Sequence, residues 1–176
     1  MCRFGEQSVA ASRLSHLELA CESPPSAGAG AVVLEASLND GADFTSNPTR
    51  HVLYNYTDPQ ITAIEPASTS SVDGRTLVTV SGARLAGGSR YLCRFGDLGT
   101  VAAYFDASRG SIVCSTPALS GREASVAFGV EVSLNGVDST RSQVSFAYHR
   151  APQMHSVSPS TGPAAGGTRV QLAGSF

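Results

Sequence analysis

The sequence contains no lysine and few charged residues of either sign. All 12 of its basic residues are arginine, charged residues make up 15% of the chain, and the formal net charge is −2. Basic side chains never form a run. Because proteins bind nucleic acid largely by neutralising its phosphates with Lys and Arg, this composition gives no electrostatic basis for a nucleic-acid partner.

Long apolar segments are also missing. No window approaches the roughly 18 consecutive apolar residues that a membrane-spanning helix needs, so we expect no direct membrane contact from this segment. Residues 1–20 include Arg3, Glu6 and Arg13 and lack the continuous apolar stretch of a secretory signal. If the protein is secreted, we expect its signal and any membrane anchor to lie outside this sequence.

Groups that could perform catalysis or bind a metal are dispersed along the chain. The histidines, at positions 16, 51, 149 and 155, share no metal-ligand spacing. The glycine-rich segments GARLAGG and GPAAGG lack the Lys-Ser/Thr ending of a phosphate-binding loop. We therefore predict a protein that is not an enzyme, with no catalytic, cofactor-binding or metal-binding residues.

What the sequence does contain is an internal repeat with a period of about 92 residues, the length of one small domain. The tetrapeptide CRFG occurs at 2–5 and again at 93–96, and VLYNY at 52–56 matches VSFAY at 144–148. The segment LEASLNDGADFT likewise matches VEVSLNGVDST, and GRTLVTVSGA matches GGTRVQLAGS.

The phase of the repeat predicts the domain organisation. Residues 59–150 form one complete unit, residues 1–58 correspond to the C-terminal part of a preceding unit, and residues 151–176 correspond to the first strands of a following one. We therefore expect the chain to be a slice of a longer tandem array.

The four cysteines occupy equivalent positions in the two copies, Cys2 and Cys21 in the first and Cys93 and Cys114 in the second. An even number in matched positions favours one disulfide bond in each unit, which is typical of secreted and cell-surface proteins. Two alternatives stay open: buried free thiols, or a metal site, although zinc usually requires more closely spaced cysteines or nearby histidines.

Apolar residues alternate with a period of two over short segments of the complete unit, which predicts seven strands: Ile61–Ile64, Leu77–Val80, Tyr91–Phe95, Val101–Tyr104, Ile112–Cys114, Ala124–Val132 and Val144–Tyr148. Turn-forming residues separate them at 87–88, 106–110, 120–123 and 135–136, and the last of these, Asn-Gly, predicts a tight hairpin.

The segment SRLSHLELA, at 12–20, resembles a short amphipathic helix, but its counterpart in the second copy indicates a turn followed by a strand. We therefore predict an all-β fold, an antiparallel sandwich of immunoglobulin type. The absence of tryptophan, together with the short spacing of the cysteines, argues against an antibody-like domain.

The order of these motifs between Pro59 and Tyr148 resembles the IPT/TIG domain, an immunoglobulin-like domain found in plexins and in some transcription factors. Two departures are mild: Leu85 stands where the family usually has Phe, and Asp40 lengthens the LNG turn of the first copy to LNDG. The positions that carry the resemblance are Pro66, Gly74, Thr76, Gly82, Cys93, Phe95, Gly96, Cys114, Pro117, Leu134, Asn135, Gly136, Phe146 and Tyr148.

The resemblance implies a non-catalytic structural or binding module of an extracellular or cell-surface protein, which contacts a protein or glycan ligand or acts as a spacer. One alternative is an accessory domain of a larger secreted carbohydrate-active enzyme. Another is the DNA-binding arrangement of some family members, which the acidic balance and paired cysteines oppose. Because the chain has both an incomplete first unit and a surplus set of strands, head-to-tail self-association is a further expectation.

Two kinds of modification or ligand site are also indicated. Asn55 begins the N-glycosylation sequon Asn-Tyr-Thr and is expected to point outward, whereas Pro48 blocks the sequon at 47–49. The turn residues Asn39, Asp40, Asp43, Asn135 and Asp138 carry oxygen atoms of the kind that bind calcium. Turn chemistry explains those Asn and Asp residues equally well, since both form such turns by hydrogen bonding to the nearby backbone.

Overall fold

A computed structural model describes residues 1–45, 51–70, 72–119 and 125–175. The chain divides into two compact units, Met1–Asp58 (unit 1) and Pro59–Phe176 (unit 2). The described residues contain no helix long and apolar enough to span a bilayer. The turn predicted at 120–123, the residue Ala124 and the blocked sequon at 47–49 lie outside the described residues.

Unit 2 contains one sandwich and one separate hairpin. The strands of the sandwich are β7 (Gln60–Glu65), β8 (Ser68–Thr69), β9 (Leu77–Ala83), β10 (Leu92–Phe95), β11 (Gly99–Asp106), β12 (Ser111–Ser115), β13 (Val126–Ser133) and β14 (Val144–Tyr148). The hairpin consists of β15 (Gln153–Ser158) and β16 (Gln171–Ser175).

One long strand, β11, belongs to both sheets of the sandwich. Its first half, from Gly99 to Ala102, pairs with β10, and its second half, from Ala103 to Asp106, pairs with β12. The strand orders are therefore β7-β9-β12-β11 in one sheet and β11-β10-β13-β14-β8 in the other. This two-sheet arrangement confirms the predicted immunoglobulin-like sandwich.

The core of unit 2 lies between these sheets and is built from the inward positions that the period-two pattern identifies. The aromatic rings make edge-on contacts, with centroids 5.8 Å apart for Phe95 and Phe146 and 5.3 Å apart for Phe146 and Tyr148. The buried residues are Ile61, Ile64, Val78, Val80, Leu85, Cys93, Phe95, Ile112, Cys114, Leu119, Phe128, Val130, Val132, Phe146 and Tyr148.

The strands of unit 1 correspond to strands β10 to β14 of unit 2. They are β1 (Cys2–Phe4), β2 (Gln7–Val9), β3 (Ala11–Arg13), β4 (Leu19–Cys21), β5 (Gly30–Ala36) and β6 (Val52–Tyr56). One sheet has the order β2-β1-β5-β6, and β3 pairs with β4 in the other. Two short strands of unit 1, β2 and β3, correspond to the single long strand β11 of unit 2, and residue 10 separates them. The segment at 12–20 forms a hairpin, as the comparison of the two copies predicts.

Three details differ from the sequence-based expectations. Strand β8, only two residues long, was not predicted, and it pairs with β14 in parallel, so the sandwich is not wholly antiparallel. The prediction of a tight hairpin at Asn135-Gly136 is wrong, because the pairing of β13 with β14 ends at Val130 and Val144 and residues 134–143 form a longer loop.

The third detail is Gly82, which lies beyond the end of the predicted strand Leu77–Val80. In the structure it lies within β9, and a Cβ atom there would come 2.0 Å from the carbonyl oxygen of Gln60. The glycine is therefore required for the close approach of β7 to β9.

Candidate functional site

In each unit, a pair of cysteines connects the two sheets. Cys93 on β10 and Cys114 on β12 are buried and disulfide-bonded, with Cα atoms 6.5 Å apart. Cys2 on β1 and Cys21 on β4 form the equivalent bond in unit 1, with Cα atoms 6.3 Å apart. Each bond therefore joins two strands of different sheets, and the described residues include no free cysteine.

The turn residues considered as calcium ligands are engaged in hydrogen bonds with one another. The Oδ1 atom of Asn135 accepts hydrogen bonds from the backbone N–H of Val137 and Asp138, both at 2.9 Å, and its amide donates to Asp138 Oδ2 at 3.1 Å. The hydroxyl of Ser133 accepts from the N–H of Gly136 at 2.9 Å. This turn chemistry accounts for the residue types without a metal.

The first copy builds the same turn with one additional residue. Asn39 Nδ2 donates to Asp43 Oδ2 at 2.8 Å, and Asn39 Oδ1 accepts from the backbone N–H of Asp43 at 3.0 Å. Asp40 has a φ of 56° and Gly41 a φ of 89°, so the longer turn passes through the left-handed region. Within the described residues, no group of three or more His, Cys, Asp or Glu side chains is placed to hold a metal ion.

A shallow concavity of about 400 Å³ lies beside the second turn. Strands β10 and β11 form one wall through Arg94 and Thr100, and the loop after β13 forms the other through Asp138 and Arg141. The side chains of Arg94, Asp138 and Arg141 are exposed. The lining thus combines two arginines with one aspartate, and Arg is a residue type that binds carboxylates and similar anions through several N–H groups.

The loop that forms this wall is held by Glu131, a buried residue that sequence reasoning missed. One of its carboxylate oxygens, Oε2, accepts hydrogen bonds from the hydroxyl of Thr140 and from the N–H of Ser142, the latter at 3.0 Å. The other, Oε1, accepts from the N–H of Gln143 at 2.9 Å. The hydroxyl of Ser142 in turn accepts from the N–H of Ile61 at 3.0 Å, which connects the loop to β7.

A signal for Glu131 was present in the repeat, because Glu35 occupies the same position in the first copy. Glu35 accepts hydrogen bonds from the Arg3 guanidinium, with Nε 2.8 Å from Oε2. The alternation pattern concealed Glu131, since that pattern places it on the outer side of β13, where the loop covers it.

Asn55 lies on β6 opposite Ala31, and its side chain is exposed, as the sequon requires. Tyr54 and Tyr56 lie together on the other face, with ring centroids 5.0 Å apart, and Tyr54 also packs edge-on against Phe4 at 5.1 Å. The attachment point for a glycan is therefore accessible on the strand face opposite the aromatic cluster.

The histidines show no sign of a shared site. The side chains at positions 16, 51, 149 and 155 are all exposed and belong to different segments of the chain. The pKa of the Asp106 carboxyl group is lowered, chiefly because the carboxylate accepts a hydrogen bond from the hydroxyl of Ser108 in the turn at 106–110. That turn joins β11 to β12 as expected.

Comparison with known proteins defines the class to which this architecture belongs. The family model described as "IPT/TIG domain" matches residues 59–148, which is half of the chain. The chain therefore belongs to the IPT/TIG domain family, and the resemblance inferred from the sequence motifs is confirmed.

One similar protein and one similar solved structure are plexins. The chain is 39% identical to Plexin-B1 of Homo sapiens over 121 residues, which cover 66% of this chain and 5% of plexin-B1. It also superposes on a solved structure of the full extracellular region of Plexin A4 with a TM-score of 0.51 and 21% identity, covering 73% of this chain and 10% of that one. The chain thus spans only a small part of the length of these relatives.

Proposed function

We propose that the chain is a segment of the extracellular region of a plexin-like cell-surface protein, in which IPT/TIG repeats act as non-catalytic structural and binding modules. The observation that carries the proposal is the match of residues 59–148 to the IPT/TIG domain, together with the similarity to plexin-B1. These relatives favour a receptor-like ectodomain over an accessory domain of a carbohydrate-active enzyme.

The proposed organisation keeps the three parts expected from the repeat: the end of one IPT/TIG repeat at 1–58, a complete repeat at 59–150 and the first strands of a third at 151–176. In this role the disulfide bonds stabilise small sandwiches whose cores are thin. The concavity between Arg94 and Arg141 is the surface that we propose for contact with an acidic group of a protein or glycan ligand. A nucleic-acid partner remains opposed by the net charge of −2.

The proposed extracellular location is tested by secreting the chain from mammalian cells with a heterologous signal peptide at its N-terminus. We expect N-glycosylation at Asn55, seen as a mobility shift that an N-glycosidase removes. Asn55→Gln should abolish the shift, whereas Asn47→Gln, in the sequon that Pro48 blocks, should leave it unchanged. A chain that reaches the medium only as an unfolded species with free thiols would contradict the proposal.

A further inference from the structure

Each unit places an arginine directly opposite a glutamate on two neighbouring strands. Arg3 on β1 lies opposite Glu35 on β5, and Arg94 on β10 lies opposite Glu131 on β13. Residues that face each other in this way have Cβ atoms about 5 Å apart, which is close enough for their charged groups to pair. The two units nevertheless use the arginine differently.

In unit 1 the arginine is engaged by two groups of the same unit. The Nε atom of Arg3 donates a hydrogen bond to Glu35 Oε2 at 2.8 Å, and its Cζ atom lies 4.1 Å from the centroid of the Phe44 ring. A carboxylate on the N–H groups and an aromatic ring against the planar face are two contacts that suit a guanidinium group.

In unit 2 the glutamate is diverted from the arginine. Glu131 accepts hydrogen bonds from the loop after β13, through the hydroxyl of Thr140 and the N–H groups of Ser142 and Gln143. Within the part of the chain that the structure describes, the guanidinium of Arg94 forms neither an ion pair nor a hydrogen bond, and the residue is exposed.

Unit 2 also has no aromatic residue at the position of the ring. The hydroxyls of Thr45 and Thr140 accept the same backbone hydrogen bond from the preceding strand, at 2.9 Å and 3.0 Å. Phe44 and Ser139, which come directly before these threonines, therefore occupy equivalent positions. Ser139 is too short to cover a guanidinium as the ring does, and together with Arg94 it lines the concavity.

The charge of the concavity indicates what kind of group fits it. Its lining lies between Leu92 and Arg141, inside the part that matches the IPT/TIG domain, so its form does not depend on the partial repeats. Two arginines and Asp138 leave the lining with a single excess positive charge. One carboxylate matches that charge, whereas a polyanion such as a sulfated glycan would be repelled by Asp138 and by the net charge of −2.

We propose that this concavity binds an acidic-aromatic segment of a protein partner. A Glu or Asp carboxylate of the partner pairs with Arg94, and a neighbouring Phe or Tyr ring packs against the guanidinium. The partner thereby supplies the two groups that Glu35 and Phe44 supply to Arg3, and Arg141 on the opposite wall adds to the attraction for the carboxylate. This inference rests on the proposed binding role of the repeat and names its ligand class.

The first test titrates the secreted, disulfide-bonded chain with the blocked peptide Gly-Glu-Phe-Gly and follows its backbone amide signals by NMR. We expect saturable shifts at Arg94, Thr100 and Ser139. Gly-Gln-Phe-Gly, which lacks the carboxylate, should bind about tenfold more weakly, and Gly-Glu-Ala-Gly, which lacks the ring, about threefold more weakly. Equal binding of the Gln and Glu peptides would overturn the proposal.

The second test changes the concavity. Arg94→Ala should weaken binding of Gly-Glu-Phe-Gly by about tenfold, whereas Arg3→Ala, at the equivalent but already paired position, should leave it unchanged. Ser139→Phe should also weaken it, because a ring there would cover Arg94 as Phe44 covers Arg3. Unchanged hydrogen exchange in β13 shows that a variant keeps the folded sandwich. Full affinity in Arg94→Ala would overturn the proposal.

Two further outcomes separate this inference from the function proposed above. Tighter binding of a heparin oligosaccharide than of the peptide, at the same residues, would overturn the proposal in favour of a glycan. Absence of saturable shifts with Gly-Glu-Phe-Gly at millimolar concentration would also overturn it. If the same chain is secreted with Asn55 glycosylated, the proposed extracellular role would stand in both cases.

Discussion

The hydroxyl of Tyr148 donates a hydrogen bond to the carbonyl oxygen of Pro117, with a distance of 2.7 Å between the oxygens. Tyr148 is fully buried on the last strand of the sandwich, and Pro117 follows β12 on the facing sheet. The bond therefore joins the two sheets at a second point, close in sequence to Cys114 of the disulfide bond. Burial raises the pKa of Tyr148 above its usual value, because the charged phenolate is disfavoured away from water.

This raised pKa predicts a loss of stability at alkaline pH. The unfolded chain loses the tyrosine proton near pH ~10, whereas the folded protein keeps it to higher pH, so the stabilising contribution is complete below about pH 10 and declines as the pH rises through the folded pKa. Tyr148→Phe should lower the unfolding free energy by about 1 kcal/mol at neutral pH and flatten the alkaline decline.

Urea unfolding of unit 2 at neutral and alkaline pH measures both effects. Tyr104→Phe is the matched control, because that ring is 59% exposed and lies on the outer face of β11. An alkaline decline of the same size in Tyr148→Phe as in the wild type would show that another group causes it.

The buried carboxylate of Glu131 predicts a second effect on stability. Glu131→Gln replaces the carboxylate that accepts hydrogen bonds from the hydroxyl of Thr140 and from the backbone N–H groups of Ser142 and Gln143. Hydrogen bonds to charged groups contribute more than neutral ones, so we expect a loss of about 2 kcal/mol. Hydrogen exchange should also accelerate at the amides of Ser142 and Gln143.

Glu65→Gln provides the control for that substitution, since Glu65 lies on a strand of the same unit and is exposed. Unchanged exchange at residues 142 and 143 in Glu131→Gln would contradict the role assigned to this carboxylate.

The glycine that allows β7 to approach β9 predicts a third effect. Gly82→Ala places a Cβ atom 2.0 Å from the carbonyl oxygen of Gln60, so the strands must separate. We expect a loss of at least ~2 kcal/mol, the range of strain and overpacking in a close-packed region.

Gly129→Ala is the matched comparison. Gly129 also lies within a strand, β13, and a Cβ atom there would have no other atom within 4 Å. Thermal unfolding should therefore separate the two variants clearly, and equal melting temperatures would refute the close-approach explanation.

The disulfide between the sheets of unit 2 predicts a fourth effect. Replacing Cys93 and Cys114 together by Ala should lower the unfolding free energy of unit 2 by about 3 kcal/mol, the chain-entropy value for a loop of this size. The double replacement of Cys2 and Cys21 should leave hydrogen exchange in β10 and β13 unchanged, because those cysteines belong to unit 1. Equal effects of both pairs on unit 2 would contradict this assignment.

Much of the fold could be predicted because its signals are local in sequence. The inward residues of β9 and β14 alternate without interruption, and they identify both strands and the core between them. Strand β8 could not be predicted in this way, because two residues of Ser and Thr carry no apolar alternation. The repeat supplied what single segments could not, including the choice of a hairpin at 12–20.

The candidate site was harder to predict because it depends on contacts between distant segments. Nothing in the alternation of β13 shows that the loop at 138–143 folds over Glu131. The Asn135-Gly136 pair predicts a turn, and that turn forms. The point at which β13 and β14 stop pairing depends instead on the packing of the whole sheet, which the pair does not reveal. Arg94 and Arg141 come together only because β10 lies beside β13.

The central claim is that the chain forms disulfide-bonded IPT/TIG sandwiches in an extracellular setting. Peptide mapping by mass spectrometry, performed without reduction on the chain secreted from mammalian cells, tests it most directly. The account predicts two linked peptide pairs, one joining Cys2 to Cys21 and the other joining Cys93 to Cys114. Four free thiols, or bonds that cross between the two pairs, would contradict it.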